Sequence, residues 1–495
     1  MKLQGAVSIS AFFIALLIPA FVLRGQEPRE VSLFEEALTM SRYFDPGTDA
    51  NACRKAFSGI VEKIRADLKT AGITVGNREE KRKEIIGLLN RHLLTDRKVS
   101  YLSNKYWRDS LFTAALMRGK GNCLATSLLY HLVAQELKLP IGMQYVPEHV
   151  LVSWEHPEAP LYIETTAGGE FRQRKDILER YGLKEVDLKP NGYLTPLTPK
   201  QLRAKLHHIW SNMLYSMGNR PEARRLLAKA RSAWPDNPSF RLSEAGFLQQ
   251  TGEIDKARKV YLALFRENNG PFIKTTAARV WSGFLTSRGR IDEALNVLTR
   301  HWQDAPLYHK VEMIDQIGEL YRHKRDWEKA IQFHQLHARL DPGESSFNSL
   351  GSVLTEAHRD PEAIKAYERA LGYNPENFFT RVILAGLYER SGDKEKGRAF
   401  FAAIKEPREH KGTWYCALVW YYANIKEEEK LVENMRLALE LDRGGHVYQY
   451  FIREPDLDPY RERPAFKALM DAHAPNKEKP APKPVAEPEP VGVAP

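Results

Sequence analysis

The second half of the chain is internally repetitive, and this repeat restricts the fold more than any other feature. A small residue is followed four positions later by a large one, and the pair recurs at spacings of 34, 37, 36, 33 and 34 residues. The pairs are Ala223/Leu227, Ala257/Tyr261, Ala294/Leu298, Ala330/His334, Ala363/Tyr367 and Gly397/Phe401. A period in this range is typical of stacked helical hairpins, in which each unit buries its apolar face only against its neighbours. The sequence therefore predicts an all-helical array in this half.

The best copy of the repeat ends at Pro375 and reads SLGSVLTEAHRDPEAIKAYERALGYNP. Gly351 and Ala363 lie where two antiparallel helices must approach closely, and Tyr367 fills the gap beside them. Position by position, the segment resembles the tetratricopeptide repeat. The resemblance implies a right-handed superhelix whose groove binds a protein or peptide partner.

The array has a predicted extent and a predicted end. We expect six repeats, a divergent helical pair from Gly412 to about Leu441, and a terminal segment from Phe451 to Met470 that covers the last hydrophobic seam. The aromatic residues on first helices either line the groove or pack between repeats, and packing is the favoured interpretation. These residues are Trp210, Trp281, Tyr388 and Trp414. The sequence determines neither the partner nor the oligomeric state.

The N-terminal end of the chain carries an uncharged apolar run. It extends from Gly5 to Leu23 between Lys2 and Arg24. At about 1.5 Å per residue this run is just long enough to span the roughly 30 Å hydrocarbon layer, and it also fits a long signal-peptide core. We therefore expect an exported, periplasmic or cell-envelope protein, either secreted by a cleaved signal or anchored by one N-terminal helix.

Charge and cysteine content exclude other classes. The 73 Lys and Arg against 63 Asp and Glu give a net charge of +10, but both signs are interspersed and no basic stripe or reading motif occurs. We therefore expect no nucleic-acid partner. A basic envelope protein held to anionic surfaces by net charge is a weaker third possibility. The three cysteines lie far apart and form no disulfide framework.

Together these features predict five parts of the chain. The parts are the signal peptide or membrane anchor 1–27, a first folded domain 28–198, the repeats 199–441, the capping segment 442–474, and a disordered Pro-rich tail 475–495. Within the first domain, apolar spacing predicts three helices. These helices are Ser32–Tyr43, Ala52–Ala71 and Arg78–Leu94.

The first domain contains a candidate nucleophile at the start of a helix. The sequence Gly119 to Cys123 precedes apolar residues that mark one helix face. The positive end of a helix dipole favours a thiolate over a thiol, and free amides at a helix start can bind an oxyanion. Cys123 is therefore the candidate nucleophile, and Asn122 is a candidate helper at the oxyanion site.

A strand pattern follows this helix. Residues Gln144 to Trp154 alternate like one strand, and Leu161 to Glu164 read as a second strand after a Pro-rich turn. A register that opposes Val152 to Leu161 also opposes His149 to Glu164, which places the latter two in contact.

Cys, His and acid in this order allow a papain-type arrangement. In it Cys123 attacks, His149 takes and returns the proton, and Glu164 orients the imidazole. The stretches EEALTMSRYFDP, GKGNCLATSLLYHLVAQELKLPIGMQYVPEHVLVSW and YIETTAGG resemble the transglutaminase-like superfamily, in particular its SirB-type bacterial branch. The resemblance covers about residues 30–196 and has Glu164 where the superfamily usually has Asp.

The resemblance implies a fold and an activity. We expect an α+β papain/transglutaminase-like N-terminal domain followed by the all-α tetratricopeptide-repeat superhelix. The implied activity is that of a thiol-dependent acyl transferase or amide hydrolase acting on protein or peptide. The alternative is a non-catalytic scaffold or assembly factor in which both domains only bind partners.

The candidate residues also have purely structural interpretations. Cys123 could be a small buried hydrophobe, His149 could satisfy a core hydrogen bond, and Glu164 could face solvent. His334 and His337 are residue types that bind metals, but on the second helix of a repeat we expect them to pack or to be solvated. We predict no cofactor and no metal site.

Overall fold

The computed structural model describes residues 31–101, 107–442 and 445–474. The apolar run 5–23 and the tail 475–495 lie outside these residues. Within the described ranges, every helix is too short or too polar to cross a bilayer. The chain forms two compact units, one of residues up to 177 with 194–233, and one of 178–193 with 234 onward. The predicted domain limits do not follow this division and stay a prediction.

The first part of the chain combines helices with two small sheets. Its helices are α1 (Leu33–Phe44), α2 (Ala50–Thr70), α3 (Arg82–Asn90), α4 (Phe112–Arg118), α5 (Cys123–Glu136), α6 (Arg174–Arg180), α7 (Glu185–Asn191), α8 (Pro199–Ser216) and α9 (Arg220–Ala233). Its strands are β1 (Ser100–Tyr101), β2 (Lys120–Gly121), β3 (Ile141–Val146), β4 (His149–Trp154), β5 (Leu161–Glu164) and β6 (Glu170–Arg172). Strands β1 and β2 pair in parallel, and β3 to β6 form an antiparallel sheet in chain order.

Helix α5 is the centre of the first unit and packs against β3 and β4. Its residues from Cys123 through Ala134 are all buried. A helix that is apolar on every side is stable only when it is surrounded, which is the position it has here. The start of α5 and the edges of β4 and β5 therefore lie close together.

The strand predicted from Gln144 to Trp154 is wrong, because this segment is a hairpin of two strands. Strands β3 and β4 pair from Ile141 opposite Trp154 to Val146 opposite His149. Pro147 lacks a backbone donor and Glu148 has φ of 57°, so the ladder ends there and the chain reverses. Val146 and His149 pair across this turn and share one face of the sheet, whereas a single continuous strand would place them on opposite faces.

The remaining helices all belong to the second unit, which also contains α7, and they come mostly in hairpins. They are α10 (Pro238–Gln250), α11 (Ile254–Arg266), α12 (Gly270–Ser287), α13 (Ile291–His301), α14 (Leu307–His323), α15 (Trp327–Leu340), α16 (Glu344–Glu356), α17 (Asp360–Tyr373), α18 (Phe378–Arg390), α19 (Lys394–Ala402), α20 (Lys411–Ile425), α21 (Glu428–Glu440), α22 (His446–Arg453) and α23 (Pro464–Ala472). Each helix from α10 to α20 with an even number packs against the next one.

The small-to-large repeat pattern is a packing requirement. A Cβ atom on Gly351 of α16 would lie 2.7 Å from the Tyr367 ring of α17, and one on Gly318 of α14 would lie 2.8 Å from His334 of α15. Such distances are impossible for a real side chain, so only glycine lets these hairpins close. Trp210, Trp281, Tyr388 and Trp414 are all less than a tenth exposed. These aromatic residues are therefore core, as their favoured interpretation predicted.

The array ends on a buried apolar cluster. Phe451 of α22 and Phe466 of α23 are buried together with Met435 of α21. The segment predicted to cover the last hydrophobic seam thus contributes its apolar side chains to that seam.

Two segments belong to units that their places in the sequence did not indicate. The hairpin α8–α9 belongs to the first unit, where His207 contacts Glu36 of α1 at 2.6 Å and Asn219 donates to the Tyr43 hydroxyl at 2.7 Å. Helix α7 belongs to the second unit, where Asp187 accepts a hydrogen bond from the Phe272 amide at 3.0 Å. The first repeat hairpin is therefore part of the compact body that contains Cys123.

Candidate functional site

Cys123 is the first residue of α5, and a side-chain cap defines this helix start. The Asn122 Oδ1 atom accepts hydrogen bonds from the backbone amides of Leu124, at 3.0 Å, and Ala125, at 3.2 Å. An asparagine cap of this kind fixes where the helix begins. The thiol of Cys123 therefore lies at the positive end of the helix dipole, with the residue 5% exposed.

Asn122 is committed to this cap, which changes the role expected for it. Its Nδ2 atom donates to Ser110 Oγ at 2.6 Å, and its backbone amide donates to the Asp109 carbonyl at 2.9 Å. The first amides of a helix have no partner inside the helix, and the cap serves those of Leu124 and Ala125. The backbone amide of Cys123 is the helix-start donor that the cap does not use, and it replaces Asn122 as the candidate oxyanion donor.

The imidazole of His149 lies between the other two predicted residues. Its Nε2 atom is 2.7 Å from Glu164 Oε2, and the ring also hydrogen-bonds the Cys123 side chain. Because Nε2 faces the carboxylate, Nδ1 is the nitrogen that remains for the sulfur. The structure thus brings all three predicted residues together within the first unit.

The register predicted for the hairpin of β4 and β5 is wrong by two residues. Val152 pairs with Ile163 and Trp154 pairs with Leu161, whereas Val152 was predicted to face Leu161. A shift of two residues keeps every side chain on the same face of the sheet. His149, at the start of β4, therefore still reaches Glu164, at the end of β5, along a diagonal.

Thr166 is a part of the site that sequence reasoning missed. Its hydroxyl donates to Glu164 Oε1 at 2.6 Å, and its backbone amide donates to the same oxygen at 3.2 Å. The two carboxylate oxygens thus have separate roles, one toward Thr166 and one toward His149. The signal was available, since a Thr two residues after an acid at a strand end is typical of a local side-chain turn.

The charges of His149 and Glu164 stabilise each other. Burial alone would lower the pKa of His149, but its hydrogen bonds to Cys123 and Glu164, and the charges of these residues, raise it to about 9. Burial alone would raise the pKa of Glu164, but hydrogen bonds from His149 and Thr166 hold it below its ordinary value. The histidine is therefore an imidazolium and the glutamate a carboxylate at neutral pH.

A cavity of about 240 Å³ lies beside this cluster and is lined by Gly121, Thr126, Thr165 and Thr166, among other residues. The hydroxyls of Thr126 and Ser127 each lie 2.9 Å from the hydroxyl of Thr165. A polar wall of this kind suits a small group that offers hydrogen-bonding atoms.

The structure decides against the purely structural interpretation of Glu164 but leaves that of Cys123 open. Glu164 is only 7% exposed, so the interpretation that it faces solvent is wrong. Burial of Cys123 fits both a structural and a reactive thiol. The catalytic roles of Cys123, His149 and Glu164 stay a prediction.

Comparison with protein families agrees with this arrangement. Residues 51–208 match the model of the transglutaminase-like superfamily, and residues 214–279, 314–346 and 350–410 match tetratricopeptide repeat models. The chain therefore carries a transglutaminase-like domain of α+β fold followed by an all-α array of tetratricopeptide repeats. The match is to the superfamily, so the SirB-type branch stays a prediction.

Two curated relatives are similar over part of the chain. General transcription factor 3C polypeptide 3 of Homo sapiens is 30% identical over 108 residues, which are 22% of this chain and 12% of that protein. Cellulose synthase operon protein C of Pseudomonas fluorescens (strain SBW25) is 27% identical over 187 residues, which are 38% of this chain and 12% of that protein. The chain thus spans about an eighth of each relative's length.

Several solved structures align with part of the chain. PilF of Pseudomonas aeruginosa is 16% identical and aligns with a TM-score of 0.34, covering 41% of this chain and 90% of its own. A tetratricopeptide repeat protein from Parabacteroides merdae is 13% identical with a TM-score of 0.38, covering 55% of this chain and 99% of its own. At such low identity and TM-score these likenesses carry no information on function.

Proposed function

We propose that the protein is a thiol-dependent acyl transferase or amide hydrolase that acts on a protein or peptide, with the repeats binding the partner. The observation that carries the proposal is the single line of contacts from Cys123 through His149 to Glu164. A nucleophile, a base within hydrogen-bond reach and a group that orients the base are the parts that covalent catalysis requires.

The chemistry takes two steps. In the first, the sulfur of Cys123 bonds to the substrate carbonyl carbon, the carbonyl C–N bond breaks, and His149 gives its proton to the leaving amine. In the second, water or another amine attacks the thioester carbon, His149 accepts the proton of that nucleophile, the C–S bond breaks, and Cys123 leaves as the thiolate. Glu164 and Thr166 hold the imidazole in place throughout, and the backbone amide of Cys123 stabilises the oxyanion.

The alternative is a scaffold or assembly factor in which both domains only bind partners. One observation favours it, because Cys123 is 5% exposed and a substrate carbonyl must reach a sulfur that is almost covered. The two proposals differ in one measurable property. A catalytic Cys123 reacts rapidly with a small electrophile, and a structural one does not.

The test is the pH dependence of Cys123 alkylation in the folded full chain. The other two thiols interfere little, because burial raises the pKa of Cys53 and raises that of Cys416 to about 12. Replacing both by serine removes them altogether. Rapid alkylation at pH 7 that depends on His149 would support the enzyme proposal, and slow alkylation that ignores His149 would leave the scaffold.

Location is a separate part of the proposal. The run 5–23 supports export or a membrane tether. Cell fractionation and N-terminal sequencing of the mature protein distinguish a cleaved signal from an anchor. Recovery of the uncleaved chain in the cytoplasm would contradict export.

A further inference from the structure

The fourth repeat hairpin, formed by α14 and α15, contains a cluster of one acidic residue and two buried histidines. Asp315 on α14 and His334 and His337 on α15 each offer one atom, and the three atoms lie within 4.8 Å of one another. His334 is fully buried and the His337 side chain is 10% exposed, so of the two expected alternatives these histidines pack rather than being solvated.

The distances within the cluster are those of ligands around one ion. Asp315 Oδ1 lies 3.1 Å from His337 Nδ1 and 3.6 Å from His334 Nδ1. Tetrahedral ligands at about 2.0 to 2.1 Å from a zinc ion are about 3.3 Å apart, which lies between these two values. One ion at the common point would therefore contact all three atoms with little movement.

The polar atoms of this cluster make ion-pair contacts with one another but no well-aligned hydrogen bonds. Asp315 Oδ1, both ring nitrogens of His334 and Nδ1 of His337 are buried without a hydrogen-bond partner among the described residues. A buried polar atom left without a partner costs about 1 to 3 kcal/mol. Four such atoms on three neighbouring side chains are unusual, since most buried polar groups in native proteins are satisfied.

A second carboxylate lies where it would orient a metal-bound imidazole. Glu319 Oε1 is 3.4 Å from His334 Nε2, the nitrogen on the far side of the ring from Asp315. A histidine that binds a metal through one nitrogen commonly presents the other to a carboxylate. Arg322 lies 2.8 Å from the other oxygen of Glu319 and holds this carboxylate in place.

Both histidines direct a ring nitrogen at the same carboxylate oxygen of Asp315. A single divalent ion between them would satisfy all three atoms at once.

We propose that Asp315, His334 and His337 bind one divalent transition-metal ion, with Zn²⁺ the best fit. Imidazole and carboxylate ligands in tetrahedral arrangement suit Zn²⁺, and a water completes the coordination from the solvent side of Asp315, which is 37% exposed. Glu319 is a positioning residue for His334. The metal clamps α14 to α15 and stabilises the repeat in which it lies.

Comparison within the array provides the decisive variant. His334 occupies the position that Tyr261 and Tyr367 occupy in other repeats, and Gly318 makes room for it as Gly351 does for Tyr367. His334→Tyr therefore restores the residue that the repeat pattern favours, and it removes a ligand without leaving a hole. Loss of metal binding in this variant cannot be attributed to unfolding.

The experiment is a calorimetric titration of the EDTA-treated full chain with ZnCl₂. Cys123→Ser and His149→Ala are present in the background, so that the other cluster cannot bind zinc. We expect one ion per chain and a rise in Tm of at least about 5 °C at a hundredfold excess over Kd. His334→Tyr and Asp315→Asn should each weaken this binding at least about a hundredfold.

The matched control is His323→Ala, since His323 is an exposed histidine at the end of α14. It should bind zinc as the parent does. Co²⁺ in place of Zn²⁺ should give the strong visible absorption of a tetrahedral site, and His334→Tyr should abolish it. The proposal is overturned if the parent binds no zinc, or if His334→Tyr binds it with unchanged stoichiometry and affinity.

Discussion

Two histidine clusters in this protein, one in each compact unit, differ in how their ring nitrogens are satisfied. In the first unit, the His149 ring hydrogen-bonds both the Cys123 side chain and the Glu164 carboxylate, so the contacts run in one direction from a thiol to a carboxylate. In the second unit, one ring nitrogen of His334 and Nδ1 of His337 converge on Asp315 Oδ1 without well-aligned hydrogen bonds among the described residues. A relay needs a chain of donors and acceptors, whereas a metal needs lone pairs aimed at one point, and the two patterns are distinguishable from geometry alone.

The largest expected effect concerns the relay, which is the line of contacts from Cys123 through His149 to Glu164. His149→Ala should slow alkylation of Cys123 by iodoacetamide at pH 7 at least about tenfold, because the imidazolium that stabilises the thiolate is lost. Rates measured by mass spectrometry in the Cys53→Ser, Cys416→Ser background test this. The control is His156→Ala, a histidine that accepts hydrogen bonds only from the turn after β4. Equal rates of Cys123 alkylation in the two variants would mean that His149 does not activate the thiol.

Exchanging the residues at one matching position of two repeats, Tyr367→His and His334→Tyr, tests how the two repeats differ in stability. In metal-free protein, Tyr367→His should cost about 2 to 4 kcal/mol, since it leaves a cavity and buries a polar ring. His334→Tyr should instead raise stability, because it removes a buried imidazole whose nitrogens lack partners. Urea unfolding followed by tryptophan fluorescence measures both. Destabilisation of similar size in the two variants would mean that His334 is satisfied in a way unlike the proposed ligand.

The charge of Glu164 should appear as a pH-dependent stability difference. The pKa of His149 is raised to about 9, so the stabilisation from its positive charge is complete below about pH 6.5 and is lost as pH rises through 9. The pKa of Glu164 is lowered, so its contribution is present above its ordinary value of 4.5 and is lost as pH falls. Glu164→Gln should therefore cost about 1 to 3 kcal/mol near pH 6 and much less near pH 10. Tm values of both proteins across this range decide the point, and a difference independent of pH would argue against the ion pair.

The smallest expected effect belongs to Thr166. Thr166→Val keeps the shape of the side chain and removes the hydroxyl that donates to Glu164 Oε1. We expect a loss of about 1 kcal/mol in unfolding free energy and an alkylation rate for Cys123 reduced about two- to fivefold. Thr166→Ser, which retains the hydroxyl, should behave like the parent in both measurements. If serine and valine had the same effect, the hydroxyl would have no part in orienting the carboxylate.

The sequence located the residues of the first cluster and the contact between His149 and Glu164, but not the register of the strands that carry them. Cys123 at a helix start, His149 on a strand and Glu164 on the next strand followed from local patterns, because apolar periodicity and turn residues are local signals. The register was wrong by two residues and the turn at Pro147 was missed. Alternation has a period of two, so a pattern on its own cannot distinguish registers that differ by two.

The repeats show what the sequence by itself determined. The spacing of small and large residues predicted the helical hairpins and the buried positions of their aromatic side chains, because each repeat packs only against its neighbours and the contacts are short in sequence. The same pattern puts His334 where other repeats have tyrosine, but it left open whether this histidine packs or is solvated.

Only the tertiary structure decided which polar side chains meet. Asp315 and His334 lie on different helices, and nothing in their spacing indicated that their side chains converge. Likewise, the hairpin α8–α9 joins the first unit through Glu36 and Tyr43, more than 150 residues away in sequence. Periodicity reports which face of an element is buried, but the partner across that face depends on how distant elements pack, and that information appears only in the folded chain.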